Sequence, residues 1–138
     1  MLATFDVPFD EAAASFAVDA AVDSGNVLIV ANLVELPPLP LSVAMGYDML
    51  DYTPEMAASL QAPADRACAL GVEVQRIRVK SFRRVEALVQ VARERKVRML
   101  VLGPDRTKVS QRLYRKAAKQ VREQLDCLVW VTWEISAG

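Results

Sequence analysis

The sequence predicts an α/β domain in which a five-stranded parallel sheet carries helices on both faces. Three observations lead there. Strand-length apolar runs alternate with helix-length segments from one end of the chain to the other, in the order β-α-β-α-β-α-β-α-β. One run, NVLIVANL at 26–33, is apolar almost throughout, as a parallel strand covered on both faces must be. Gly25 and Gly71 stand where the first two helices should stop. Parallel neighbours need right-handed crossovers, and the intervening segments are long enough to be those helices. At 138 residues and 53% hydrophobic content the chain fits one globular domain, 1–138, with a substantial core.

The elements follow in turn. Met1 to Phe5 is an apolar run that ends at Asp6 and forms the first strand. Asp10 and Glu11, just after Pro8, suit the positive end of a helix, and Ala13, Phe16, Ala17, Ala20 and Ala21 recur at helical spacing. The second strand is 26–33. From Val34 to Tyr52 the periodicity disappears and Pro37, Pro38 and Pro40 forbid a regular element, so a long surface connection is expected. Thr53 and Pro54 open a second helix, with Met56, Leu60, Ala64, Ala67 and Cys68 inward and Pro63 expected to kink or split it.

Val72 to Val79 alternates apolar and polar residues, which marks a strand at the sheet margin. Ser81 is expected to cap a third helix that buries Val85, Leu88, Val89 and Ala92 and leaves Arg83, Arg84, Glu86, Arg93 and Glu94 in water. Val97 to Leu102 is the fourth strand. The last helix is expected to present Leu113, Ala117, Ala118, Val121 and Leu125 to the core, and Cys127 to Trp133 forms the fifth strand and the other margin.

Composition removes several function classes. Seventeen basic residues balance seventeen acidic ones, so no overall field attracts nucleic acid or an anionic membrane, and only the basic last helix argues for nucleic acid. There is no histidine, hence neither the commonest general base nor the commonest metal ligand. Cys68 and Cys127 lack metal-ligand spacing and read as reduced core thiols of a cytoplasmic protein. No apolar run approaches the length of a membrane span. The motifs GxGxxG, GxxxxGK[ST] and SGGxDS are absent, so dinucleotide, P-loop and related adenylating chemistries have no support. Trp130 and Trp133, in a hydrophobic final strand, read as core or interface residues rather than a base-stacking platform.

Four stretches together resemble the universal stress protein family along nearly the whole chain. They are LATFD at the first strand, the second strand before a proline-rich loop, MLVLG at the fourth strand, and DCLVWV, similar to that family's CPVLVV. The resemblance implies a doubly wound sheet of order 3-2-1-4-5, of the adenine nucleotide alpha hydrolase type. Members that bind ATP hold its phosphates and ribose on G-x-x-G, nine residues, then G-[S/T]. Laid on this chain, those positions are Gly103, Arg106, Lys116 and Ala117, so one of the four matches. The Asp-Gly-Ser common after the first strand is Asp6, Val7, Pro8 here.

Glycines in such a loop let backbone N–H groups approach a phosphate, an approach that arginine and lysine obstruct. The expectation is therefore a non-enzymatic stress-response or regulatory module with ATP binding lost or weakened and no cofactor. The alternatives are a universal stress protein that holds ATP or AMP through the side chains of Arg106, Lys108 and Lys116, with Asp6 at the adenosine, and an enzyme acting on nucleotides. The resemblance also implies a homodimer through the Cys127 to Trp133 strand, whose unpaired edge would otherwise invite aggregation.

Overall fold

A computed structural model of the chain describes residues 1–36 and 54–133. Five strands, β1 (Leu2–Thr4), β2 (Leu28–Glu35), β3 (Val74–Ser81), β4 (Met99–Leu102) and β5 (Leu128–Val131), form one sheet in the order β3-β2-β1-β4-β5, with every pairing parallel. Four helices are described: α1 (Glu11–Ser24), α2 (Pro54–Ala69), α3 (Arg84–Glu94) and α4 (Gln111–Gln124). The proline-rich connection expected over 34–52 lies, beyond Leu36, outside the described residues, as does Thr53; Val34 and Glu35 belong to β2.

Because successive strand side chains point to opposite faces, the sheet divides the core in two. Leu2, Val30 and Val101 pack with Ala13, Ala17 and Val18 of α1 and Ala64 and Ala67 of α2. Ala3, Ala31 and Leu102 pack on the other side with Leu88 and Val89 of α3 and Ala117 and Val121 of α4. Burying one such leucine or valine side chain contributes about 1.5–3 kcal/mol.

Capping fixes α1. The carboxylate of Asp10 accepts from the Ala13 amide at 2.9 Å, and Gly25 ends the helix in the left-handed conformation at φ 70°. Pro63 is buried inside α2 and does not split it. β3 begins two residues later than its alternation suggests, because Val72 still donates to the Ala67 carbonyl of α2 and Gly71 turns the chain at φ 82°. β4 is short for the same reason: the Val97 amide closes the end of α3 on the Ala92 carbonyl, with Lys96 in the left-handed region at φ 51°. Ser81 is the last residue of β3 rather than the cap of α3; its hydroxyl accepts from the Arg83 amide, and Arg83 occupies the cap position without a side-chain bond.

Three side chains lie on the other side of the solvent boundary from their expected place. Cys68 is exposed rather than in the core, since the described residues that α2 turns fully inward are Met56, Pro63, Ala64 and Ala67. α4 buries Ala117, Ala118, Val121 and Leu125 as expected, but in its first turn Tyr114 is the fully buried residue and Leu113 is 39% exposed. Arg84, expected in water, lies over the ring of Phe5 at 5.4 Å, donates to the Phe5 carbonyl at 3.1 Å and pairs with Glu35 at 3.7 Å.

Candidate functional site

In an open α/β sheet, ligands bind outside the carboxyl ends of the strands where the order reverses, and here that point lies between β1 and β4. Two loops meet over it, one from Phe5 to Asp10 and one from Gly103 to Ser110. They are joined by main-chain bonds: the Asp10 amide donates to the Gly103 carbonyl at 2.9 Å and the Asp105 amide to the Pro8 carbonyl at 2.8 Å, with an antiparallel bridge between Phe9 and Pro104. Gly103 is demanded by space, not by φ. A Cβ there would stand 2.9 Å from the Cβ of Ala13 and 3.0 Å from Leu2.

The amides from 103 to 108 are nearly all committed. Gly103 donates to the Ala3 carbonyl at 2.9 Å and Lys108 to the Asp105 carbonyl at 3.0 Å. Pro104 has no N–H. The Asp105 carboxylate accepts from both the amide and the hydroxyl of Thr107, at 3.0 and 2.7 Å. Only the Arg106 amide lacks a protein acceptor. A carboxylate of the chain itself thus occupies the centre of this turn.

Below the turn lies a buried polar cluster. The Tyr114 hydroxyl is 2.8 Å from the Leu102 carbonyl and 2.9 Å from the Thr132 hydroxyl, and accepts from the Thr132 amide at 2.7 Å. The Thr132 hydroxyl in turn reaches the carbonyls of Leu102 at 3.0 Å and Pro104 at 3.3 Å. These bonds pull the chain inward over the tip of β4. The fifth strand therefore ends at Val131, short of the Trp133 expected, and Thr132 and Trp133 turn helical. Burial pushes the Tyr114 phenol above its ordinary pKa of 10.0.

The sequence-derived site residues are placed as follows. Asp6, exposed and left-handed at φ 58°, donates its amide to Asn32 Oδ1 at 2.8 Å and accepts from Asn32 Nδ2 at 3.3 Å, tying the tips of β1 and β2 together. Gly103 closes β4 against α1. Arg106 is half-buried: its guanidinium lies 5.7 Å from the Trp133 ring centroid and its Nε is fully buried with no acceptor. Lys108 is exposed in the turn. Lys116 and Ala117 are in the second turn of α4, the first in solvent and the second 2% exposed in the core. The helix starts earlier, at Gln111, where Ser110 caps it through the Leu113 amide.

Sequence reasoning missed Asp105, Tyr114, Thr132 and Asn32. Asp105 had a readable signal, since an aspartate two residues before a threonine is a local turn-former. The others act through contacts between distant segments. Among the described residues no group of three or more His, Cys, Asp or Glu side chains is placed to hold a metal ion, and no helix is long and apolar enough to cross a membrane.

The strand order, the switch point between β1 and β4 and the paired loops over it define a doubly wound, all-parallel α/β protein. The Universal stress protein family model matches residues 1–132, and the chain belongs to that family. Solved structures share the fold at low identity. A universal stress protein family member from Burkholderia pseudomallei aligns at 17% identity and TM-score 0.63, covering 95% of this chain and 94% of its own. A universal stress protein in complex with cAMP aligns at 22% and 0.60, covering 96% of each chain. The hypothetical protein MJ0577, the subject of a structure-based assignment of biochemical function, aligns at 14% and 0.65, covering 95% and 94%. No curated protein matches the sequence.

Proposed function

We propose that this chain is a non-enzymatic stress-response or regulatory module of the cytoplasm that does not hold ATP in its family's manner. One observation carries the reading: the turn that would cradle a phosphate spends its amides on the protein's own acceptors, with the Asp105 carboxylate where an anion would sit. A phosphate arriving there must break those bonds and meet a like charge. There is no histidine, and the three carboxylates of the crevice loops, Asp6, Asp10 and Asp105, each accept a hydrogen bond from the chain itself, which argues against a poised general base there. Mass spectrometry of the natively purified protein, with calorimetric titration of ATP, AMP and cAMP, tests this. No bound adenine nucleotide and no heat of binding are expected. A stoichiometric nucleotide overturns the reading, and ATP turnover abolished by Asp6→Ala would make the protein an enzyme.

The buried, acceptor-less Nε of Arg106 favours a second reading, in which Arg106, Lys108 and Lys116 grip the phosphate of AMP or ATP through their side chains. That mode requires affinity that falls with salt and disappears in an Arg106→Ala, Lys108→Ala variant.

Self-association through β5 belongs to the same proposal. β5 is a sheet margin, and Leu128 stands 65% exposed on it. The two tryptophans have partners in their own chain, Trp130 edge-on to Phe16 at 5.2 Å and Trp133 edge-on to Tyr114 at 5.0 Å. The support is therefore the strand's edge and Leu128 rather than the indoles. Sedimentation of wild type and Leu128→Lys at micromolar concentration decides: a dimer that the lysine dissociates is expected, and a wild-type monomer or an indifferent dimer overturns it.

A further inference from the structure

The balanced charge of the whole chain averages a bipolar molecule. α1 carries Glu11, Asp19 and Asp23 and no cation, whereas Gln111 to Arg122 carries five cations and no carboxylate. All five, Arg112, Arg115, Lys116, Lys119 and Arg122, are exposed. No carboxylate among the described residues lies within ion-pairing distance of Arg112, Arg115, Lys116 or Lys119. Their spacings of three and four residues bring like charges together along the helix, and Arg112 sits in the first turn, at the positive end of the dipole. Arg122, in the last turn, suits the dipole and donates to the Val129 carbonyl at 3.1 Å, but no such contact within the described residues accounts for Arg112, Arg115, Lys116 and Lys119.

An aromatic ring borders it. Trp133 closes a hollow of about 430 Å³ with Arg115, Ala118, Lys119, Arg122 and Glu123, and its ring also carries the Arg106 guanidinium. Glu123 is the one carboxylate in that lining. The row from Arg112 to Arg122 extends for about 15 Å at the helical rise. Cations tracking a backbone beside an aromatic face are what an unpaired nucleotide strand needs, since its phosphates take the charges and a base stacks on the ring.

We propose that the exposed face of α4, with Trp133, binds single-stranded nucleic acid. The site runs along α4 beside the β1/β4 crevice, and Arg115, Lys119 and the Trp133 hollow belong to it alone.

Fluorescence anisotropy of a labelled twelve-residue oligothymidylate with the full chain tests it. If the four unpaired cations displace counterions, log K falls against log salt with a slope of about −2.8, or about fifty-fold between 50 and 200 mM. The double variant Arg115→Ser, Lys119→Ser leaves the crevice loops untouched and should flatten that slope by about 1.4 with an unchanged circular dichroism spectrum. Four outcomes overturn the proposal. They are no binding at 50 mM salt, an unaltered slope in the double variant, displacement of the oligonucleotide by polyglutamate of equal charge, which would make the partner an acidic protein, and salt-sensitive self-association without oligonucleotide binding, which would make it the α1 face of a second copy.

Discussion

Replacing Tyr114 by phenylalanine tests the buried cluster under the crevice most directly, because it deletes one oxygen and leaves the ring. In the wild type that oxygen accepts from the Thr132 amide and donates its single hydrogen to the Leu102 carbonyl or the Thr132 hydroxyl. Leu102 keeps a donor in the variant, since the Thr132 hydroxyl is 3.0 Å away. The Thr132 amide keeps none and is buried with a residue 1% exposed. Stranding one buried N–H costs about 1–3 kcal/mol. The loss should thus be about 2 kcal/mol, which at a urea dependence of about 2 kcal/mol per molar moves the unfolding midpoint down by about 1 M. Urea titration followed by circular dichroism measures it, and Thr132→Val with the double variant closes a cycle in which contacting partners should couple by at least about 0.5 kcal/mol. A loss below that figure, or additive behaviour in the double variant, would refute the argument that the hydroxyl cluster fastens β5 to β4.

The phenol also sets a pH response. Its raised pKa means that the folded chain keeps a proton the unfolded chain releases, so this stability is intact below pH 10.0 and declines as pH rises beyond it; Tyr114→Phe should remove that decline in alkaline denaturation curves. Gly103→Ala forces a methyl group to 2.9 Å from the Ala13 methyl on a rigid helix and should cost about 1–3 kcal/mol, part of it recovered when Ala13→Gly is added; a neutral single variant in urea titration contradicts the close approach. Ellman's reagent should titrate one thiol rapidly, Cys68, because Cys127 is half-buried and burial pushes its thiol up from 9.0; Cys68→Ser should abolish the fast phase.

The sheet was legible because its signals are local and repeated. An apolar run such as 26–33 has few alternatives to a buried strand, and alternation at 72–79 placed β3 at the margin. Boundaries slipped where a helix end borrowed the next residues, as Val72 and Val97 do for α2 and α3. The core residue in the first turn of α4 was illegible because Leu113 and Tyr114 satisfy the same periodicity, and only the buried polar partners of the phenol decide between them. Arg84 was misplaced for a similar reason: a charged residue on an amphipathic helix reads as solvated until a carbonyl and a carboxylate from other strands are seen beside it. At the crevice, the missing glycines could be read directly. That Asp105 would supply the anion, and that Pro8 and Gly103 would lock the two loops, required knowing which segments meet.

That lock bears on how the folded state is maintained in a cell. A doubly wound sheet has a seam where its two halves, here β3-β2-β1 and β4-β5, diverge, and a small molecule lodged there adds its binding free energy to folding in proportion to its concentration. In this chain the seam is stitched by peptide: Asp10 to Gly103, Asp105 to Pro8, and Phe9 alongside Pro104. The chain makes these stitches with its own backbone and needs no ligand to form them. On the proposed reading, in which no nucleotide enters the crevice, the folded state is uncoupled from the energy charge of its surroundings, and the protein stays folded in a starved cell as in a fed one.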